Sequence, residues 1–238
     1  MIKVILGFFL LLFTFCRCST IRDTPKYEFA NGYYTTKLFG GGSKDVFVTN
    51  EEESVLIYPL RKVGKTFVVD TTQHKRLALP QVFSDSLLGL QVFRRKSFDI
   101  DFLTIPFKYR PRVNAFARQF NTNLNGGVYL GYRNDNYVLQ YRKDVLGRFQ
   151  RKTTHLGFSF GAFTGVGGTA MNPWVTNDQI NIEYDGVVWT KGVTGIIGLD
   201  KFTVGLAVGW DNLMDRNKRH WIYQGKPWIG LAFGLNLN

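Results

Sequence analysis

The chain has 238 residues, is 45% hydrophobic and 16% aromatic, and carries a formal charge of +12. Its only cysteines, Cys16 and Cys18, lie near the amino terminus, so removal of a leader would exclude disulfide frameworks and thiolate nucleophiles. Its basic residues fall in short separate segments rather than one aromatic-lined stripe, which excludes nucleic acid as the expected partner.

Residues 1–18 have the parts of a secretory signal peptide: Lys3, the apolar run Val4 to Phe15, then Cys16-Arg17-Cys18-Ser19. The apolar run is shorter than the roughly 20 residues a spanning helix needs, so cleavage near Cys18 is expected over retention, with lipidation of Cys16 or Cys18 as the alternative. Loss of Lys3 and Arg17 takes the charge from +12 to +10. Residues 19–31 read as an extended leader. Residues 32–80 form a β-rich segment or subdomain, with short strands at Tyr33–Phe39, Asp45–Thr49, Ser54–Tyr58 and Thr66–Val69.

Residues 81–238 carry the stronger pattern. Eight segments alternate apolar with small or polar side chains: Ser86–Phe93, Phe98–Arg110, Val113–Phe120, Leu124–Tyr132, His155–Phe163, Val193–Leu199, Phe202–Trp210 and Trp228–Asn238. Successive strand residues face opposite sides, so each segment offers one greasy face and one small or polar face. Pro106 interrupts the second segment, and proline cannot donate to a sheet ladder, so a bulge, kink or strand end is expected there. Only Asp200-Lys201 separates Val193–Leu199 from Phe202–Trp210, which predicts a tight hairpin. The stretches 133–153, 164–192 and 211–226 read mainly as connections.

The expected fold is all-β: a closed antiparallel transmembrane β-barrel of eight strands, with ten the next count. In hydrocarbon an open sheet edge leaves backbone groups unpaired, so short amphipathic strands must close on themselves. A soluble sandwich or lipid-carrying barrel also alternates, but its water-facing set should be rich in Lys, Glu and Thr. Here that set is mostly Gly, Ala, Ser and Thr. Gly157, Gly161, Gly205, Gly209, Gly230 and Gly234 are the expected interior glycines, relieving crowding where the sheet curves and receiving rings from neighbouring strands.

No catalytic, cofactor or metal motif stands out, and the three histidines, His74, His155 and His220, have no metal-ligand spacing. Asp99 and Asp101 read as water-facing acids at a strand mouth. Arg216, Lys218, Arg219, Trp221 and Tyr223 form the candidate contact for envelope lipid or another ligand, or else an interfacial girdle. Exposed cations near a membrane attract anionic headgroups and lipopolysaccharide phosphates.

The glycine-aromatic strands, Asn172-Pro173-Trp174 and Gly230-Leu231-Ala232-Phe233-Gly234-Leu235 resemble the uncharacterised small outer-membrane β-barrel proteins of Bacteroidetes-type bacteria, over about residues 85–238. The resemblance implies insertion by the outer-membrane assembly machinery and carries over no residue-level role. The expected location is the bacterial outer membrane, and the expected function a structural or envelope-component-binding barrel. The alternatives are a narrow channel or porin and an outer-membrane lipid-modifying enzyme built on Ser159 or His155. No cofactor is expected, catalysis is not indicated, and oligomeric state and substrate stay open.

Overall fold

A computed structural model of the chain describes residues 29–236 apart from 41, 52, 65, 70–75, 84–88, 114–117 and 200–201. The expected signal peptide, most of the leader, and Cys16, Cys18 and His74 lie outside the described residues. The strands are β1 (Gly32–Thr36), β2 (Lys44–Asn50), β3 (Ser54–Val63), β4 (Thr66–Val69), β5 (Leu77–Pro80), β6 (Val82–Phe83) and β7 (Gln91–Arg110). They continue as β8 (Gln119–Asn121), β9 (Asn125–Lys143), β10 (Phe149–Met171), β11 (Tyr184–Leu199), β12 (Phe202–Leu213) and β13 (Pro227–Asn236).

All thirteen belong to one antiparallel sheet, ordered β13-β12-β11-β10-β9-β7-β1-β2-β3-β4, and β13 also pairs with β7. Six strands therefore close a hydrogen-bonded ring: β7, β9, β10, β11, β12 and β13. The ring is strongly staggered. A circuit of paired residues runs Phe98, Tyr132, Phe160, Gly195, Leu206, Leu231 and returns to β7 at Phe107, nine residues along from Phe98. Because β13 covers only Asp101 to Tyr109 of its edge of β7, the lower part of that edge is free for β1, which pairs at Phe93 and Arg94. The sheet runs on from there through β2, β3 and β4.

This corrects the eight-stranded transmembrane barrel, and the ten-stranded one with it. Among the described residues, the first two expected segments run into one strand, β7, and of Val113–Phe120 only Gln119 and Phe120 fall in a strand, the short β8 paired to Lys108–Arg110. Eight expected segments thus reduce to six. The ring is one part of a thirteen-stranded sheet rather than a free-standing barrel, and its seam is broken by a register shift. Strands β7, β9 and β10 hold 20, 19 and 23 residues, about twice the ~9–11 residues of a membrane-crossing strand. The polar stretch 133–153 is not a connection but the continuous β9–β10 hairpin, which projects below the ring and pairs with β6. Among the described residues no helix is long and apolar enough to cross a membrane.

Pro106 marks a bulge. On β13, Leu231 and Phe233 are two apart, but their partners Phe107 and Thr104 are three apart, so β7 holds an extra residue at Ile105–Pro106. The extra residue inverts the faces of β7. Below it Asp99, Asp101, Leu103 and Ile105 point inward; above it Lys108 and Arg110 do, while Phe107 and Tyr109 turn out. Asp99 and Tyr109, an even number of residues apart, therefore lie on opposite faces.

The interior is stacked in layers. At the lower end β1–β3 and β5 close the ring with Phe29, Tyr34, Val46, Ile57, Phe93 and Tyr137. An apolar plug of Leu103, Ile105, Tyr129, Phe163, Ile196 and Trp228 fills the middle. At the upper end the loops around the 3-10 helices Trp174–Thr176 and Arg216–Arg219 close it with Met171, Val175, Leu213, Trp221 and Tyr223. Between these three apolar layers lie two charged ones.

Candidate functional site

The upper charged layer draws on every strand of the ring. Bulge-shifted β7 contributes Lys108 and Arg110, β9 Asn125, β10 Thr169, β11 Thr190, β12 Asp211 and β13 Trp228. Lys108 Nζ donates to Asp211 Oδ1 at 2.8 Å and to Asn125 Oδ1 at 2.8 Å. Arg110 donates through one terminal nitrogen to Asp211 Oδ2 at 2.7 Å and through the other to Thr169 Oγ1 and Gln119 Oε1. Trp228 Nε1 adds a third donor to Asp211, at 2.9 Å. The Lys108 ammonium lies 4.4 Å from a Trp228 ring centroid, and the Arg110 guanidinium lies 5.1 and 5.3 Å from those of Trp221 and Tyr223. Cations over aromatic faces gain further stabilisation when desolvated.

Such a layer holds ions where water does not reach them. Burial pushes the Asp211 carboxyl up, but Lys108 and Arg110 outweigh it and hold the group below the ordinary carboxylate range. Burial pulls Lys108 down to about 8; Asp211 resists that fall and Arg110 adds to it. One carboxylate is shared by two cations, so the layer depends on Asp211.

The lower charged layer has the opposite balance. Arg133 Nε donates to Asp135 Oδ2 at 2.8 Å, and its guanidinium approaches Asp99 at 3.7 Å. His155 Nε2 lies 2.7 Å from Asp135 Oδ1, beneath the Tyr137 ring. Tyr129 and Ser159 share a hydroxyl–hydroxyl bond of 2.6 Å. Burial raises the Asp99 carboxyl above its usual range, with the Ser159 hydroxyl acting against the rise and Asp135 adding to it. Asp99 and Asp101 are thus interior groups, not water-facing acids at a strand mouth.

The five residues expected to form one lipid or ligand contact separate into two groups. Arg216, Lys218 and Arg219 are exposed on a 3-10 helix whose N-cap, Asp215, accepts from the Asn217 amide. Trp221 and Tyr223 are buried in the upper cap against Arg110. Of the six glycines, Gly157, Gly205, Gly209 and Gly230 are buried within the ring, while Gly161 and Gly234 are half-buried on the same face. A Cβ on Gly209 would run into the Trp228 ring, and one on Gly230 would meet both that ring and the Phe107 carbonyl. On Gly161 it would meet the Leu130 backbone, on Gly157 the Asp135 carboxylate, and on Gly205 the Gly195 carbonyl; Gly234 has more room, beside Thr203.

The outer surface is the apolar one. Phe158 is 53% exposed, Leu206 58% and Phe233 38%, and Phe98, Phe102, Phe160, Val204 and Leu231 share their orientation. A shallow groove of about 640 Å³ crosses this surface over Gly126, Gly127, Gly165 and Gly167, walled by Phe102, Leu124, Val128 and Val166.

Compared with protein-family models, curated proteins and solved structures, the chain has no match. The resemblance to outer-membrane barrel proteins of Bacteroidetes-type bacteria is corrected accordingly, since nothing the chain matches supports it. The outer-membrane location rested on a membrane-crossing barrel and is withdrawn with it, as is the role of a structural or envelope-binding outer-membrane barrel. The channel reading fails on the apolar plug between the charged layers. The lipid-modifying enzyme reading loses its candidates: Ser159 bonds to Tyr129 and His155 pairs with Asp135, both inside the ring. No grouping able to hold a metal ion occurs among the described residues.

Lys108, Arg110 and Asp211 are the residues sequence reasoning missed. Lys108 and Arg110 fall at the end of the expected strand segment Phe98–Arg110, and Asp211 at the start of the expected connection 211–226. The available signal was Pro106: an extra residue at a bulge moves both cations to the interior.

Proposed function

We propose that this protein is a non-catalytic lipid-associating protein whose outward sheet surface is covered by acyl chains. The observation that carries the reading is the inversion of polarity across the ring: Lys108 and Asp211 are enclosed, while Phe158, Phe160 and Leu206 face outward. Water-soluble monomers rarely expose contiguous apolar patches beyond about 300–600 Å², and larger ones mark surfaces that something covers. The circuit Phe98, Tyr132, Phe160, Leu206, Leu231 and Phe107 encircles the ring, broken only by Gly195. An apolar band on all sides suits a fluid partner such as acyl chains better than a single protein docked on one face. The pairing of the interior ions fits the same reading, because acyl chains outside the ring offer them no hydration.

Flotation of the purified full-length chain with phosphatidylcholine vesicles tests the proposal. The chain should rise with the vesicles, and a Phe158→Ser, Phe160→Ser, Leu206→Ser variant should partition on the order of 100-fold less, each exposed apolar side chain contributing about 1 kcal/mol or more. A wild-type chain that stays monomeric and vesicle-free in detergent-free buffer would overturn it.

A further inference from the structure

On the three longest strands of the ring, the carboxylates are confined to the inner face, which they share with Lys108, Arg110 and Arg133. Every carboxylate on β7, β9 and β10 (Asp99, Asp101 and Asp135) points inward and is buried. The outward faces of the same strands carry cations and no carboxylate. Going up β7 the outward residues are Val92, Arg94, Lys96, Phe98, Ile100 and Phe102. Going up β10 they are Lys152, Thr154, Leu156, Phe158 and Phe160, and between the two strands β9 places Asn136 and Asn134 below Tyr132 and Leu130. Above Val92 each face passes from polar or cationic to apolar in the same direction, so the cations border the apolar band from below.

We propose that Arg94, Lys96 and Lys152 form a rim that binds the phosphates of anionic phospholipid headgroups. This rests on the lipid-association reading and names the lipid class. Arg94 and Lys96 stand two residues apart on one face, about 7 Å, close enough for their side chains to flank a single phosphate. Arginine engages phosphate oxygens through a planar fork, and lysine as a compact point charge. The neighbouring Asn134 and Asn136 add amide groups without negative charge. Across the seam with β1, Asp45 already accepts from Thr35 Oγ1 at 2.9 Å. The upper cations Arg216, Lys218 and Arg219 are a poorer candidate, because Asp215 lies within the same loop and Asp185 faces outward on β11 nearby.

The experiment compares flotation on pure phosphatidylcholine vesicles with flotation on vesicles containing phosphatidylglycerol, using wild type and the triple variant Arg94→Gln, Lys96→Gln, Lys152→Gln. Each cation beside an anionic surface contributes about fivefold, so wild type should favour the anionic vesicles by on the order of 100-fold at low salt. High salt should remove most of that preference. The variant should bind phosphatidylcholine as wild type does and lose the preference, whereas Arg216→Gln, Lys218→Gln, Arg219→Gln should retain it. Equal wild-type binding to both vesicle types overturns the headgroup proposal and leaves lipid association standing, as does a preference that the first variant keeps. Binding to neither overturns both.

Discussion

Lys108 and Asp211 stand 103 positions apart in sequence, yet their side chains meet at 2.8 Å with both withdrawn from solvent. The pair links β7 to β12, strands that share no hydrogen-bonded edge, across the interior of the ring. It exists because the extra residue at Pro106 turns Lys108 inward, and it is stable because Arg110, Asn125 and Trp228 complete the partners of both ions.

Removing the shared anion should be costly. Asp211→Asn leaves two buried cations without a counter-charge, and breaking a buried pair in this way costs about 3–5 kcal/mol. Lys108→Met in the Asp211→Asn background should recover part of the loss. Denaturant unfolding followed by tryptophan fluorescence checks this; a loss under about 1 kcal/mol in Asp211→Asn would contradict the assignment.

Acid stability should depend on the same carboxylate. Asp211 titrates below its ordinary value in the folded chain, so its contribution is complete above the unfolded value of about 3.9 and disappears as pH falls through the folded one. Stability of the wild type should fall on acidification from about pH 5 to about pH 2, and Asp211→Asn should fall less over that range. Parallel curves for the two proteins would be the contrary result.

Lys108 should titrate near 8, the value to which burial pulls it. Between there and the ordinary lysine value of about 10.4 the unfolded chain binds the extra proton, so this group makes stability rise with pH across that window. Asp211→Asn should lower the midpoint further by removing the anion that favours the charged form. Nitrogen-15 NMR of the lysine side chains reads both midpoints, and an unshifted one at Lys108 would show that water reaches it.

Gly209 and Gly195 should respond unequally to the same change. Gly209→Ala drives a methyl group into the Trp228 ring and to 2.8 Å from the Lys191 carbonyl, which should cost about 1–3 kcal/mol as overpacking. Gly195→Ala faces outward and meets Phe158 at 3.8 Å, an ordinary contact, so its effect should stay within about 0.5 kcal/mol. Thermal unfolding of the two variants separates them.

The lower cap should open without the ring. Phe29 packs on Tyr34, Phe93 and Tyr137 at ring-centroid distances of 4.9, 5.0 and 5.3 Å. Phe29→Ala should cost roughly 3–5 kcal/mol locally. Hydrogen exchange should quicken in β1 and β2 while β10, β11 and β12 keep their protection; uniform loss would mean that cap and ring unfold together.

Much of this structure was legible residue by residue. Phe158 against Gly157, Leu206 against Gly205, and Phe233 against Gly234 were sorted to opposite faces by alternation alone, and that sorting holds. The Pro106 bulge was also readable, because a missing donor leaves a gap in any ladder. The polar hairpin 133–153 was not: its inward residues Arg133, Asp135 and Tyr137 find partners in β7, β10 and the amino-terminal cap, far away in sequence. A strand whose burial comes from distant partners lacks the greasy face by which strands were recognised.

Face alternation belongs to the pleat of each strand, so the sequence by itself determined which side chains stand together on one side. The number of strands that close, and the meeting of Lys108 with Asp211, depend on register accumulated around six strands and on one inserted residue. Those are sums over the whole sheet, and no single segment contains them. Only the tertiary structure decided that these ions meet inside a ring of six.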